Sequence, residues 1–164
     1  MSRSGAFPQR VSIMATMFRG QFTHSIDAKG RTSLPSRFRD QLVGAGESRL
    51  ILTPALMEPC IHVFPLRAWE EFEAKVASLP QFDARVVRLR RLYVSAAVDC
   101  DLDGQGRVLV PPQLREHASL AKEVVWAGVG NKAELWAKDR WAAATAATPE
   151  ELADLQRQLS EWGL

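Results

Sequence analysis

Apolar positions along the chain change period several times, and each change marks an element. Phe18 to Ile26 and Val94 to Leu102 are β-prone runs, and each leads into an Asp-x-x-Gly-Arg segment. Asp and Gly at those offsets suit a tight turn, because glycine adopts φ > 0 with no Cβ to clash. Arg31-Thr32-Ser33-Leu34 and Arg107-Val108-Leu109-Val110 are then expected to return as strands, each closing a hairpin. Pro35 and Pro111 stop them, since proline has no N–H to give a ladder. Proline also suits the first helical turn, which predicts short helices from Pro35 to Leu42 and from Pro112 to Ala118. Leu50 to Leu52 with Cys60 to Phe64, and Val124 to Val129 with Ala133 to Trp136, predict a second pair of strands after each helix.

Longer helices show a 3.6-residue period. Trp69, Phe72, Val76 and Leu79 fall at i, i+3, i+7 and i+10 and share one face, with Glu70, Glu71, Glu73 and Lys75 elsewhere on the helix. Asp83 to Ala97 is a second helical stretch. The last helix is bounded by a capping box, Thr148 with Glu151 around Pro149, and carries Leu152, Leu155, Leu159 and Trp162 as one stripe. That stripe requires a surface to cover it, either the protein's own sheet or a neighbouring subunit. Residues 1–16 show no period and are expected to form a mobile extension before a core that starts near Met17.

The order of elements occurs twice. A shift of 76 residues lays His24 to Arg39 over Cys100 to Arg115, matching Ile26 with Leu102, Asp27 with Asp103, Gly30 with Gly106, Arg31 with Arg107, Leu34 with Val110, Pro35 with Pro111 and Arg39 with Arg115. Further on the shift is 72, where Phe64 meets Trp136 and Trp69 meets Trp141. One unit is therefore written twice. The expected organisation is an extension (1–16), a first repeat (17–80), a connecting helix (81–97), a second repeat (98–147) and a C-terminal amphipathic helix (148–164).

Composition narrows the function classes. With 164 residues, 46% hydrophobic and 24% charged, the chain can bury a normal core without metal or disulfide staples. Its apolar runs fall far short of the roughly 18 residues of a membrane span, and no secretory pattern opens it, so a cytoplasmic protein is expected. Cys60 and Cys100 stand outside any CxxC context, which fits reduced thiols rather than a zinc or redox site. His24, His62 and His117 are scattered, without HExxH, GxSxG or a Walker loop, and Gly104-Gln-Gly106 lacks the Lys-Ser/Thr that a phosphate loop needs. No enzyme, cofactor or metal is expected. Residues 1–98 carry +6 and residues 99–164 carry −4. This split fits a polyanion partner for the first half, or attraction between the halves across an interface.

The doubled turn offers its own chemistry. Arginine donates bidentately to guanine O6 and N7, lysine serves mainly as a phosphate contact, and a two-stranded ribbon fits the major groove. Arg31 therefore has two readings: it pairs with Asp27 and fixes its own loop, or it faces DNA. Arg107, in the acidic half, leans to the first. Arg37 and Arg39 read equally as phosphate contacts or as a solvated helix face. The Arg85, Arg88, Arg90 and Arg91 cluster leans toward salt bridges with Glu70, Glu71 and Glu73 rather than toward a second basic surface.

Met17-Phe-Arg-Gly20, Asp27-Ala-Lys-Gly-Arg31, Leu34-Pro35 and Arg39, with Asp103-Gly-Gln-Gly-Arg107 and Pro111, resemble the MraZ family of bacterial transcriptional regulators. The likeness covers nearly everything from Met17 onward. It implies an α+β fold, an AbrB-like swapped-hairpin β-barrel formed by the two repeats as a pseudo-dimer with flanking helices. It also implies a ring-shaped homo-oligomer, associated with the nucleoid, that binds direct repeats in double-stranded promoter DNA and usually represses the cell-division and cell-wall gene cluster. By this resemblance Arg31 and Arg107 are DNA contacts, joined by Lys29, Gln105, Arg37 and Arg39, while Asp27, Gly30, Asp103 and Gly106 set turn geometry. Gln105 departs from the Lys29 of the first copy. AbrB-type barrels also serve as antitoxins, so a protein-interaction module is the alternative.

Overall fold

The computed structural model describes residues 16–164. The extension expected over residues 1–16 lies, apart from Thr16, outside the described residues. From Phe18 the chain runs β1 (Phe18–Ser25), β2 (Arg31–Ser33), α1 (Ser36–Gly44), β3 (Arg49–Pro54), β4 (Ile61–Pro65), α2 (Leu66–Ala77) and α3 (Ala84–Leu89), which continues as a π-helical turn (Arg90–Val94). It proceeds through β5 (Val98–Asp101), β6 (Arg107–Leu109), α4 (Pro112–His117), β7 (Glu123–Gly130), β8 (Ala133–Ala137), α5 (Lys138–Thr145) and α6 (Pro149–Leu159), ending in a 3₁₀ turn (Ser160–Trp162).

Six strands form one antiparallel sheet in the order β1-β7-β8-β4-β3-β5, and β2 pairs with β6 as a separate ribbon. Of the six pairings among the described residues, β3–β4 and β7–β8 lie within one sequence copy; β1–β7, β2–β6, β3–β5 and β4–β8 cross between copies. Among the described residues the sheets do not close into the expected barrel, because β2 and β6 form a ladder with each other and with no strand of the larger sheet, leaving β1 and β5 as edges. The expected local hairpins are likewise short: the Asp27 N–H donates to the Arg31 carbonyl and the Asp103 N–H to the Arg107 carbonyl, both at 3.0 Å, and Ile26 bridges Thr32 in the first copy. Beyond it the Gly30 carbonyl accepts the Val110 N–H at 2.8 Å and the Gly106 carbonyl accepts the Leu34 N–H at 3.1 Å, so each returning strand joins the other copy.

Other departures have local causes. Val94 to Ala97 does not extend β5, because the helix continues through the π turn and buries Tyr93. Leu79 lies beyond the end of α2 and stays 44% exposed. The Thr148–Glu151 capping box is present at the start of α6, but that helix buries no residue, so its apolar stripe meets solvent.

Alternation along the strands builds two apolar layers. Leu50, Leu52, Ile61, Val63, Val124, Trp126, Ala133 and Leu135 face one way, against Leu34, Phe38 and Leu42 of the first copy and Val108, Val110, Leu114 and Ala118 of the second. Ile51 and Phe64 face the other way with Trp69 and Tyr93, and nearby Val125 and Trp136 enclose Cys60 and Ala55. Covered on both faces, these strands read as continuous apolar runs. Phe38 ties α1 to β1, its ring 4.6 Å from that of Phe18 and 5.4 Å from that of Phe22. Replacing this fully buried side chain, Phe38→Ala, is expected to lower unfolding free energy by about 3–5 kcal/mol, read from chemical denaturation at unchanged m-value.

Candidate nucleic-acid interface

The two Asp-x-x-Gly-Arg turns are built by the same hydrogen bonds. Asp27 Oδ1 accepts the N–H groups of Lys29 (3.0 Å) and Arg31 (2.8 Å), and Oδ2 accepts Arg31 Nε at 2.7 Å. Asp103 repeats the pattern with Gln105 (2.8 Å), Arg107 (2.9 Å) and Arg107 Nε (2.8 Å). The Gly30 and Gly106 N–H groups close the turns on the Asp27 and Asp103 carbonyls. Both glycines have positive φ, +90° and +73°. A Cβ on Gly30 would lie 2.6 Å from the Val110 carbonyl oxygen and 2.8 Å from Arg115 Nε, so only glycine fits there.

These turns place Arg31 and Arg107 on one surface. In the ribbon Arg31 is paired with Leu109 and Ser33 with Arg107. Thr32 and Val108 point inward and are buried, so the four flanking residues share the outward face. Two residue steps separate the arginines along the ribbon, roughly 7 Å. Their side chains are 35% and 29% exposed, neither locked in the interior nor free. Each guanidinium commits Nε to its own aspartate, and among the described residues neither donates from its Nη groups, which hold four of the five donors.

Lys29 and Gln105, on the two turns, are exposed, and so is Arg37 in the first turn of α1. Arg39 is half-buried, with its side chain over Gly106 of the other copy. Arg115 does the same over Gly30 and donates from Nη1 to the Ala28 carbonyl at 3.4 Å. Arg115 was not singled out from the sequence as a site residue, although its alignment with Arg39 was the signal for it. Near the second turn, Asp99 and Asp101 are countered by Arg49, at 3.6 and 3.0 Å. The arginine cluster of α3 lies apart from these pairings. Arg85 bonds Asp83, the N-cap two residues before it, and Arg90 bonds Gln81. The expected bridges to Glu70, Glu71 and Glu73 are not formed among the described residues, because closer partners at the helix start take Arg85 and Arg90.

The mixed α and β molecule thus carries the same Asp-x-x-Gly-Arg turn in each of its two repeats, and similarity to known proteins follows the same two-part division. The family model described as "MraZ protein, putative antitoxin-like" matches residues 17–91 and 93–159. Proteins named transcriptional regulator MraZ are 46% identical over 149 residues in Pseudomonas putida, covering 85% of this chain and 99% of that relative, and 44% identical over 149 residues in Azotobacter vinelandii, covering 88% and 98%. The chain belongs to the MraZ family.

Titration reports on the turns. The Arg31 backbone N–H, helped by its guanidinium and by the Lys29 N–H, holds the Asp27 carboxyl below its ordinary value, and the Arg107 and Gln105 N–H groups do the same for Asp103. A depressed folded-state value means that the stability contributed is fully present above the unfolded value, about pH 4, and is lost as pH falls through the folded values. Asp27→Asn and Asp103→Asn should therefore flatten the acid limb of a stability–pH curve below about pH 4. Gly30→Ala should cost about 1–3 kcal/mol from its left-handed backbone alone, measured by thermal and chemical unfolding.

Proposed function

We propose that this protein is a sequence-specific DNA-binding regulator of transcription that reads promoter direct repeats through its two Asp-x-x-Gly-Arg turns. The observation carrying this reading is the outward face of the β2–β6 ribbon, where two arginines have their Nε atoms clamped and their Nη donors left over. A two-stranded ribbon of this kind fits a major groove, and Arg31 and Arg107 would donate to guanine edges. Lys29, Gln105, Arg37 and Arg39 supply flanking contacts, of which the cationic ones fix position on phosphate rather than read sequence. The aspartates and glycines serve turn geometry. Pairing of β2 with β6 supports treating the two repeats, 17–80 and 98–147, as a swapped-hairpin pseudo-dimer joined by the 81–97 segment.

The targets we assign are repeats upstream of the cell-division and cell-wall gene cluster, acted on as a repressor in the cytoplasm at the nucleoid. No catalytic role is part of this reading, and among the described residues no helix is long and apolar enough to cross a membrane. One ribbon offers too few charges for tight binding at cellular salt. A ring of copies presenting successive ribbons to successive repeats makes later contacts intramolecular, a gain of about 10²–10⁴ in avidity. The uncovered face of α6, with Leu152 and Leu155 about half exposed and Trp162 76% exposed, is a surface such assembly would cover. That same face favours a second reading as a protein-interaction module, which would hold if a partner protein, and not nuclease-sensitive DNA, co-purified with the chain.

Arg31→Ala and Arg107→Ala should each weaken binding to the repeats by about 1–3 kcal/mol while leaving assembly size unchanged, as measured by gel shift and size exclusion. Full-strength binding by either variant removes that arginine from the interface. On the same gels a fragment with several repeats should bind at least tenfold more tightly than one with a single repeat, and equal affinity would refute the avidity mechanism.

A further inference from the structure

The second face of the sheet holds a polar cluster that the DNA-binding reading does not use. Residues 60 and 62 lie on one side of the chain as it enters β4, and His62 pairs in register with Glu134 of β8. Cys60 Sγ, a His62 ring nitrogen and a Glu134 carboxylate oxygen all lie within 4.8 Å of one another. Val125 and Trp136 pack with Cys60, Phe64 and Tyr93 stand edge-on to the imidazole, and two charged side chains, Lys132 and Glu58, lie close enough to act on the cluster.

The outward-facing atoms of the two polar side chains are held by other groups. Tyr93 Oη lies 2.7 Å from His62 Nδ1, and Trp136 Nε1 donates to Glu134 Oε1 at 3.2 Å. Tyr93 is delivered by the π-helical turn, a backbone feature that recurs at functional sites. His62 Nε2 and Glu134 Oε2 therefore face each other, 3.6 Å apart. That is too long for a good hydrogen bond. It matches two ligands on one tetrahedral ion, because bonds of about 2.0–2.2 Å to nitrogen and oxygen put such atoms about 3.5 Å apart.

We propose that Cys60 Sγ, His62 Nε2 and Glu134 Oε2 form a binding site for a divalent transition ion, with Zn²⁺ the best chemical match. Thiolate, imidazole and carboxylate are together a zinc donor set, and three protein ligands leave a fourth position for water. Tyr93 and Trp136 are the outer groups that orient ligands in such sites. His62 and Glu134, 18% and 16% exposed, provide the route of entry, while Cys60 is fully buried. Burial first, and then Glu134 and Glu58, push the Cys60 thiol up to about 12, so it carries its proton in the metal-free protein. Coordination breaks the S–H bond, forms the sulfur–metal bond and passes the proton to solvent. With Nε2 on the metal, the imidazole proton sits on Nδ1 and is donated to the Tyr93 oxygen. The ion would staple β4 of the first copy to β8 of the second.

The test is a Co²⁺ titration of the full chain after chelator dialysis, followed by absorption. The expected result is a one-to-one thiolate-to-cobalt charge-transfer band with the visible bands of four-coordinate cobalt, displaced by Zn²⁺. Cys60→Ser should abolish the charge-transfer band, Cys100→Ser should leave it intact, and Tyr93→Phe, which keeps the ring, should weaken Co²⁺ binding by about 10–100-fold. Zn²⁺ should also raise the melting temperature of the wild type and of Cys100→Ser. Absence of the band in wild type, its survival in Cys60→Ser, or unchanged affinity in Tyr93→Phe would each overturn the site.

Discussion

The structure depends on one constraint: neither sequence copy can satisfy its own backbone. Buried N–H and C=O groups must be paired, yet among the described residues only the β3–β4 and β7–β8 ladders are local. Every other ladder borrows its partner from the far half of the chain. The consequence reaches the turns, because the Gly30 and Gly106 carbonyls are bonded by Val110 and Leu34 of the opposite copy. Arg115 and Arg39 then lie over those same glycines, again from the opposite copy. An interface made this way belongs to the pair of copies, and a single copy would have no ribbon to present.

In the proposed DNA-binding role, the aspartate beside each arginine is an obstacle only at first sight. A carboxylate facing phosphate is repelled, but each of these accepts three N–H bonds and is neutralised by its own arginine. As an exposed ion pair the contact adds little to stability. Its effect is on order. A free arginine side chain carries about 2 kcal/mol of rotamer entropy, part of which is already given up when Nε is clamped, so a ligand reaching the Nη donors meets a prearranged group. The two turns are not electrically equal, since Lys29 in the first, which shares a surface hollow with Asp99 and Asp101, is replaced by neutral Gln105 in the second.

Much of this was legible in the sequence, and the rest was not for physical reasons. The repeat, the capped last helix, the α1 and α4 starts after Pro35 and Pro111, and the strands of both apolar layers follow from local periodicity and turn chemistry. Strand exchange does not, because periodicity says that Arg31 to Leu34 is extended without saying which strand it joins. The turn and proline signals fit a local hairpin and an exchanged ribbon equally well. Val94 to Ala97 fits both the β-prone run and the helical stretch that starts at Asp83, and the structure carries the helix through Val94. In the candidate interface the turn residues were identifiable from their doubling, whereas the half-buried placement of Arg39 over Gly106 required the exchange to be known.

Fusing two copies in one chain changes what the axis between them can hold. The 72-residue shift that pairs Phe64 with Trp136 also pairs His62 with Glu134 and Cys60 with Lys132. In a dimer of identical chains the β4–β8 contact would bring together two histidines or two glutamates, and a half-buried pair of carboxylates would force one of them to keep a proton. Duplication within one chain frees each copy to diverge, so a histidine can stand opposite a carboxylate and a cysteine can remain on one side alone. Lys132, at the position equivalent to Cys60, has its ammonium 5.6 Å from the centroid of the Phe64 ring, and among the described residues it forms no ion pair with Glu134. The asymmetry that makes Gln105 a weaker counterpart of Lys29 on the ribbon is thus the same freedom that lets unlike donors converge on the opposite face of the sheet.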